Sequence, residues 1–194
     1  MLIVIFSFVH ELQREAATHN DIIKFDFYDN YYNLTLKSVS VVRFAAKHCE
    51  NAKFVVKMDN DMYPMVDRLM TKLGSLSQNA IYGSHRVNIK VSRESKYAVD
   101  KRDYYDDTYP VYHNGIYFIP GNATLPLYRA IVSSPSKGII PALPFEDAYV
   151  SGILAERANV QRKKFPDKMN LKPDSQTTDL SVFQKWKSDG RFFR

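Results

Sequence analysis

The sequence predicts an α/β domain, a sheet flanked by helices. Three observations carry this reading. Short apolar runs of strand length recur along the chain, and the first of them alternate with stretches of helical composition or spacing. The length of 194 residues suits one domain with a sizeable core. Hydrophobic residues make up 45% and charged residues 25%, near globular averages, which excludes disorder, collagen-like repeats and coiled coil.

Leu2 to Phe8 is a continuous apolar run and reads as a buried strand; Glu11 to Thr18 has helix-forming composition. Ile22 to Phe27 is a second strand candidate. Leu34 to Cys49 follows with Leu34, Val41, Val42, Ala45, Ala46 and Cys49 near one helical face. Phe54 to Met58 is a third apolar run, ended abruptly by Asp59, Asn60 and Asp61. Strand, helix, strand, helix, strand implies parallel pairing through right-handed crossovers, and such sheets bind ligands beyond the carboxyl ends of their strands. A helix is expected around Val66 to Leu73, with Pro64 suited to a first turn. Strands are expected at Ala80 to Gly83 and Ile116 to Ile119, with a Tyr-rich irregular or edge segment from Arg86 to Tyr112 between them. Pro144 leads into a helix from Glu146 to Ala158. Residues 1–165 thus read as the folded domain and 166–194 as a polar, basic tail.

The net charge of +6 invites a nucleic-acid reading. Its distribution argues against one: residues 1–156 carry 17 Lys and Arg against 17 Asp and Glu, whereas residues 157–194 carry 10 against 4. A neutral body with a basic tail lacks the broad footprint that phosphate-backbone binding needs, so no nucleic-acid partner is expected. The single cysteine, Cys49, excludes an internal disulfide framework and a multi-cysteine zinc site. No apolar run is long enough to span a membrane, and Met1 to Val9 lacks the basic start of a signal peptide. The five histidines show no metal-ligand spacing, and no Gly-rich phosphate loop occurs.

Two acidic pairs remain as candidate chemistry. Asp59 and Asp61, one residue apart, can converge on one hard cation. With 15 Asp in the chain about one such pair arises by chance, so the pattern alone fits a solvated acidic turn as well. Its position after an apolar strand is the stronger argument. Glu146-Asp147 opens an expected helix, where acids complement the helix dipole; a carboxylate there also serves as a general base if its surroundings raise its proton affinity. Two sequons are present, Asn33-Leu34-Thr35 and Asn122-Ala123-Thr124. Asn33 is expected to cap the helix it precedes, and Asn122, in a Gly-Asn turn, to be the more accessible.

Taken in order, these segments resemble the β-1,3-glycosyltransferases, the family that includes β-1,3-galactosyl- and β-1,3-N-acetylglucosaminyltransferases. The resemblance runs through Asp21-Ile22-Ile23, Asp26-Phe27, Asp29, Tyr31, Asn33 to Lys37, Cys49, Lys57 and Asp59-Asn60-Asp61. It continues through Arg86, Lys96-Tyr97, Tyr109-Pro110, Tyr112, Gly115, Tyr117 and Glu146-Asp147-x-Tyr149-Val150-x-Gly152. It implies a GT-A type, Rossmann-like mixed sheet flanked by helices, a UDP-sugar donor, a divalent cation, usually Mn²⁺, and inversion at the anomeric carbon. Galactose or N-acetylglucosamine would pass to a glycan or glycoprotein acceptor in β-1,3 linkage. By position, Asp61 and Asp59 correspond to the metal- and donor-contacting pair, and Asp147, beside Glu146, to the base. Lys57, Lys96 and Tyr112 correspond to supporting positions around the donor. The implied setting is the lumenal face of the Golgi membrane, with the membrane reached only through an anchor outside this chain. Relative to the family pattern, Asn60 replaces the usual middle aspartate, His113 stands where a cysteine is usual, and no histidine follows His113. The earlier donor-binding strand is also missing from these residues. A catalytically silent, binding or chaperone-type member is the alternative.

Overall fold

The structure is a computed structural model that describes residues 9–59, 62, 66–133 and 143–166. The expected first strand, Pro64 of the third helix, Asp61 and nearly all of the basic tail lie outside the described residues. Four strands form one sheet: β1 (Phe54–Lys57), β2 (Ala80–Arg86), β3 (Tyr112–Pro120) and β4 (Gln161–Lys164), in the order β1-β3-β2-β4. Helices α1 (Val9–His19), α2 (Leu34–His48), α3 (Val66–Ser75) and α4 (Gly121–Val132) accompany it. A π-helix, Asp147–Leu154, runs on into a single α turn, α5 (Ala155–Arg157).

The sheet is mixed. β1 and β2, joined through α3, are both antiparallel to β3, which lies between them, and only β2 and β4 pair in parallel. β1 and β2 therefore run in the same direction without pairing, and the parallel pairing expected of residues 2–8, 22–27 and 54–58 is not seen among the described residues, where only the third of these is a strand. The long excursion through residues 87–111 lets β3 return between them. That excursion is irregular, as its composition predicts, and Arg93 holds it: its guanidinium donates to the carbonyls of Val99 and Tyr104 at 2.9 Å each and of Asp106 at 2.6 Å.

Alternation along β3 separates two cores. Tyr117 and Ile119 face α2, α4 and the π-helix, whereas Ile116 and Phe118 face Leu73 of α3 and Phe165. α2 buries Thr35, Ser38, Val39, Val42 and Ala45, one helical stripe, and α4 buries Ala123, Thr124, Leu127, Ala130 and Ile131. The hydroxyl of Thr35 donates to the Leu143 carbonyl at 2.7 Å, tying the start of α2 to the segment entering the π-helix.

Four expectations are corrected. Ile22 to Phe27 is not a strand: Ile22 makes one isolated bridge and the rest is irregular, because no continuous ladder partner accompanies it among the described residues. Glu146 to Ala158 is helical but mostly in the wider π form. Gly121-Asn122 is not a turn but the first turn of α4, an element hidden from pattern reading by Gly121 and the internal Pro126. Asn33 stands at the N-cap of α2 without a side-chain capping bond; its amide donates instead to the Tyr28 carbonyl at 2.7 Å, while Asn30 caps the preceding 3₁₀ turn.

Candidate active site

Lys57 ends β1, and the strand alternation turns it, like Val55, toward the face covered by the π-helix. It lies directly opposite Tyr117 in the β1–β3 register, and its ammonium sits 5.6 Å from the centre of that ring. The same ammonium pairs with Asp59 at 2.5 Å, Glu146 at 2.8 Å and Asp147 at 2.9 Å. Side-chain exposure falls from 40% at Asp59 to 19% at Asp147 and 12% at Glu146, so the cluster opens toward solvent on the Asp59 side. Burial disfavours the charge of Lys57, but Tyr117 and the carboxylates of Asp147, Glu146 and Asp59 outweigh it and hold the proton above the usual lysine range.

Asp147 occupies the first turn of the π-helix. One of its oxygens faces Lys57, and the other accepts the Gly115 backbone N–H at 3.1 Å. Burial pushes its pKa up to about 6; Lys57 draws it down, the neighbouring Glu146 raises it, and the bonds from Lys57 and Gly115 lower it. A carboxylate of that basicity stays ionised at neutral pH and accepts a proton more readily than an exposed aspartate.

Gly115 is available to Asp147 because β3 bulges there. The β2–β3 register shifts between Gly83 and His85, and Gly115 adopts φ +76°, a conformation that costs glycine little. A Cβ on Gly115 would lie 3.4 Å from the Met62 methyl and 3.9 Å from the second oxygen of Asp59, so it is the backbone conformation, not crowding, that favours glycine there. Ser151, one turn beyond Asp147, anchors the arrangement: its hydroxyl accepts the His113 N–H at 2.8 Å and donates to the Asp147 carbonyl at 2.7 Å.

Lys57, Asp59, Glu146 and Asp147, all singled out from sequence, thus meet in one cluster. Tyr112 is half-buried on the adjoining stretch of β3; burial raises its pKa, Arg86 opposes this and Asp147 adds to it. Lys96 is not in the cluster. It stands at the rim, fully exposed, 4.8 Å over the Tyr97 ring. Sequence reading did not assign roles to Gly115, Tyr117 or Ser151. A glycine inside an apolar strand run was the available signal for the first, since it marks a bulge or a close approach. His113 is wholly buried, stacked on His85 at 4.9 Å, with a ring nitrogen 3.1 Å from the Ile81 carbonyl; burial and His85 push its pKa down to about 4. The imidazole that replaces the family's cysteine is therefore a neutral core residue.

Among the described residues no three acidic, histidine or cysteine side chains form a metal-ligand set. The carboxylate of Asp59, one oxygen of which pairs with Lys57, is a donor of the type a hard cation takes.

A mixed sheet with carboxylates and a buried lysine gathered at the end of β1 has the architecture of a GT-A type glycosyltransferase domain. A family model described as Galactosyltransferase matches residues 7–166, and the chain belongs to that family. It is 30% identical over 180 residues to human Beta-1,3-galactosyltransferase 5, covering 90% of this chain and 56% of the relative. It is 32% identical over 161 residues to human Lactosylceramide 1,3-N-acetyl-beta-D-glucosaminyltransferase, covering 77% of this chain and 41% of that protein. Human N-acetyllactosaminide beta-1,3-N-acetylglucosaminyltransferase 3 is 29% identical over 143 residues, or 72% of this chain and 37% of the relative. The chain thus spans little more than half the length of the human galactosyltransferase.

Proposed function

We propose that this chain carries the catalytic centre of an inverting hexosyltransferase that moves galactose or N-acetylglucosamine from a UDP-sugar to a glycan acceptor in β-1,3 linkage. The observation that carries the reading is Asp147: buried, fixed by Gly115 and Lys57, and raised to about 6. Inversion by direct displacement needs a base on the acceptor side, and Asp147 takes the proton from the acceptor hydroxyl as its oxygen attacks the anomeric carbon. Lys57 keeps that carboxylate ionised and oriented between turnovers, and Glu146 shares the lysine.

Asp59 and Asp61 would hold the divalent cation, usually Mn²⁺, that the resemblance implies. When bound, it supplies charge neutralisation for the departing diphosphate. Tyr112 supports the donor side and Lys96 the rim. The setting that goes with this reading is the lumenal side of the Golgi membrane, reached through a type II anchor. Among the described residues no helix is long and apolar enough to cross a membrane. The binding-only alternative is not favoured, since a basic, cation-paired carboxylate has no evident use in it.

The test combines binding with transfer. UDP with Mn²⁺ is expected to raise the melting temperature of the unmodified protein more than UDP alone. Asp147→Asn should keep that response and lose sugar transfer by two or more orders of magnitude, about the worth of a general base. Transfer at the unmodified rate, compared at equal folded concentration, sinks the assignment. A loss confined to Glu146→Gln would move the base by one residue.

A further inference from the structure

Asp147 stands in the first turn of its helix, where the backbone has the fewest hydrogen bonds to hold it. Lys57 does not orient it alone, because its flexible side chain is shared with Asp59 and Glu146. The fixed contacts come from β3 and form two rungs between strand and helix. Gly115 donates its backbone N–H to the Asp147 carboxylate at 3.1 Å. His113, two residues earlier on the strand, donates its own to the hydroxyl of Ser151, four residues later on the helix, at 2.8 Å.

Ser151 is wholly buried, and its one hydroxyl serves both elements. A lone pair takes the His113 N–H, while the single proton goes to the Asp147 carbonyl at 2.7 Å, with the His113 carbonyl at 3.1 Å as the longer alternative. One atom thereby ties the strand to the backbone of the residue that carries the carboxylate. Gly152 makes the approach possible. A Cβ there would stand 3.0 Å from the Tyr112 Cβ and 3.5 Å from the Pro110 ring, so a side chain at 152 would push the helix off the strand.

We propose that Ser151 is the positioning residue for Asp147: its hydroxyl sets the spacing between the helix turn and the Gly115 bulge, and so holds the carboxylate on the Gly115 N–H in one orientation. The proposal rests on the transferase reading, in which Asp147 takes the acceptor proton, and adds to it a residue that acts only through Asp147. Chemistry asks for such a clamp. A general base works only with its oxygen in hydrogen-bond reach of the proton it removes, and a misplacement of about 1 Å costs about a hundredfold in rate. Alanine at 151 removes the tie and leaves the packing, whereas threonine keeps the hydroxyl on an atom that reaches an i−4 carbonyl in a helix.

Ser151→Ala, Ser151→Thr and Asp147→Asn are compared at equal folded concentration, with the NMR position of the Gly115 amide as a readout that needs no turnover. Asp147→Asn marks where that amide lies without its carboxylate partner. Ser151→Ala is expected to lower kcat about tenfold or more with both KM values in place, and to move the Gly115 amide toward its Asp147→Asn position. Ser151→Thr should restore most of both. In the Asp147→Asn background the alanine change should cost no further rate, since nothing is left to position. If the alanine chain does not fold, Ser151→Cys, close in size and a weak donor, takes its place with the same expectations. An unmoved Gly115 amide overturns the proposal, and so does a rate loss that repeats in full in the Asp147→Asn background; either leaves the transferase reading standing. A Gly115 shift restored by threonine, in a protein that transfers no sugar or whose Asp147→Asn variant transfers at the unmodified rate, supports the clamp and removes Asp147 as the base instead.

Discussion

Asp147 is held between opposing influences, and their balance sets its chemistry. Burial favours the acid, Lys57 and Gly115 favour the carboxylate, and the result is about 6 against 3.8 for an unperturbed aspartate. Because the folded value lies above the unfolded one, Asp147 contributes stability below pH 4 that is lost as pH rises through about 6. For catalysis the sign is opposite: kcat/KM should fall about tenfold per pH unit below pH 6 and level off above it, and a profile flat from pH 5 to 8 would detach the rate from this residue. Lys57 answers to the same balance. Lys57→Met leaves three carboxylates without their shared cation and should cost about 3–5 kcal/mol at neutral pH. The loss should shrink toward pH 4, because Asp147 without its cation takes up a proton more readily. Denaturant midpoints measured across that range test it. The lysine was legible in sequence only through the family resemblance, which implied a supporting position for it. Its three partners were not legible as a set.

Elements position these side chains through departures from regularity. The β3 bulge turns the Gly115 N–H to Asp147, and the π form of the following helix presents Asp147 and Ser151 to β3. α4 depends on a close approach rather than on propensity. A Cβ at Gly121 would stand 1.8 Å from the Ala52 carbonyl oxygen, and the Gly121 N–H already donates to Lys53 at 2.9 Å. Gly121→Ala should therefore destabilise the protein by more than about 3 kcal/mol, against roughly 1 kcal/mol gained from helix propensity alone. Thermal unfolding decides between the two, since a stabilised variant would mean that the backbone yields there. Pattern reading located β1 and β2 from their apolar runs and α2 as a helix, although of the face expected for α2 only Val42 and Ala45 are buried, with Thr35, Ser38 and Val39 completing the real one. It passed over α4, whose glycine and proline imitate a turn, and β4, which is polar and held in the sheet by pairing with β2.

At the scale of the whole molecule, the sheet gathers residues that the chain keeps far apart. Lys57 and Asp147 are 90 positions from each other and meet at 2.9 Å. The same assembly separates the two sequons. Asn33 spends its amide on the Tyr28 carbonyl, and the Thr35 that completes its triplet is 2% exposed. Asn122 stands exposed on the first turn of α4. Glycan mapping on material secreted from eukaryotic cells should find occupancy at Asn122 and none at Asn33; occupancy at Asn33 alone would reverse this.

The sequence by itself determined what short-range periodicity and composition can carry. These are the α/β class, the positions of α1, α2, α3, β1, β2 and β3, the exclusion of a disulfide within these residues, the neutral body of residues 1–156, and the two acidic pairs as candidate chemistry. Only the tertiary structure decided that β3 would enter between β1 and β2, that Lys57 would join Asp59 to Glu146 and Asp147, and that burial would raise the proton affinity of Asp147. Each of those depends on burial and on distances between residues far apart in the chain, and local pattern holds no information about either.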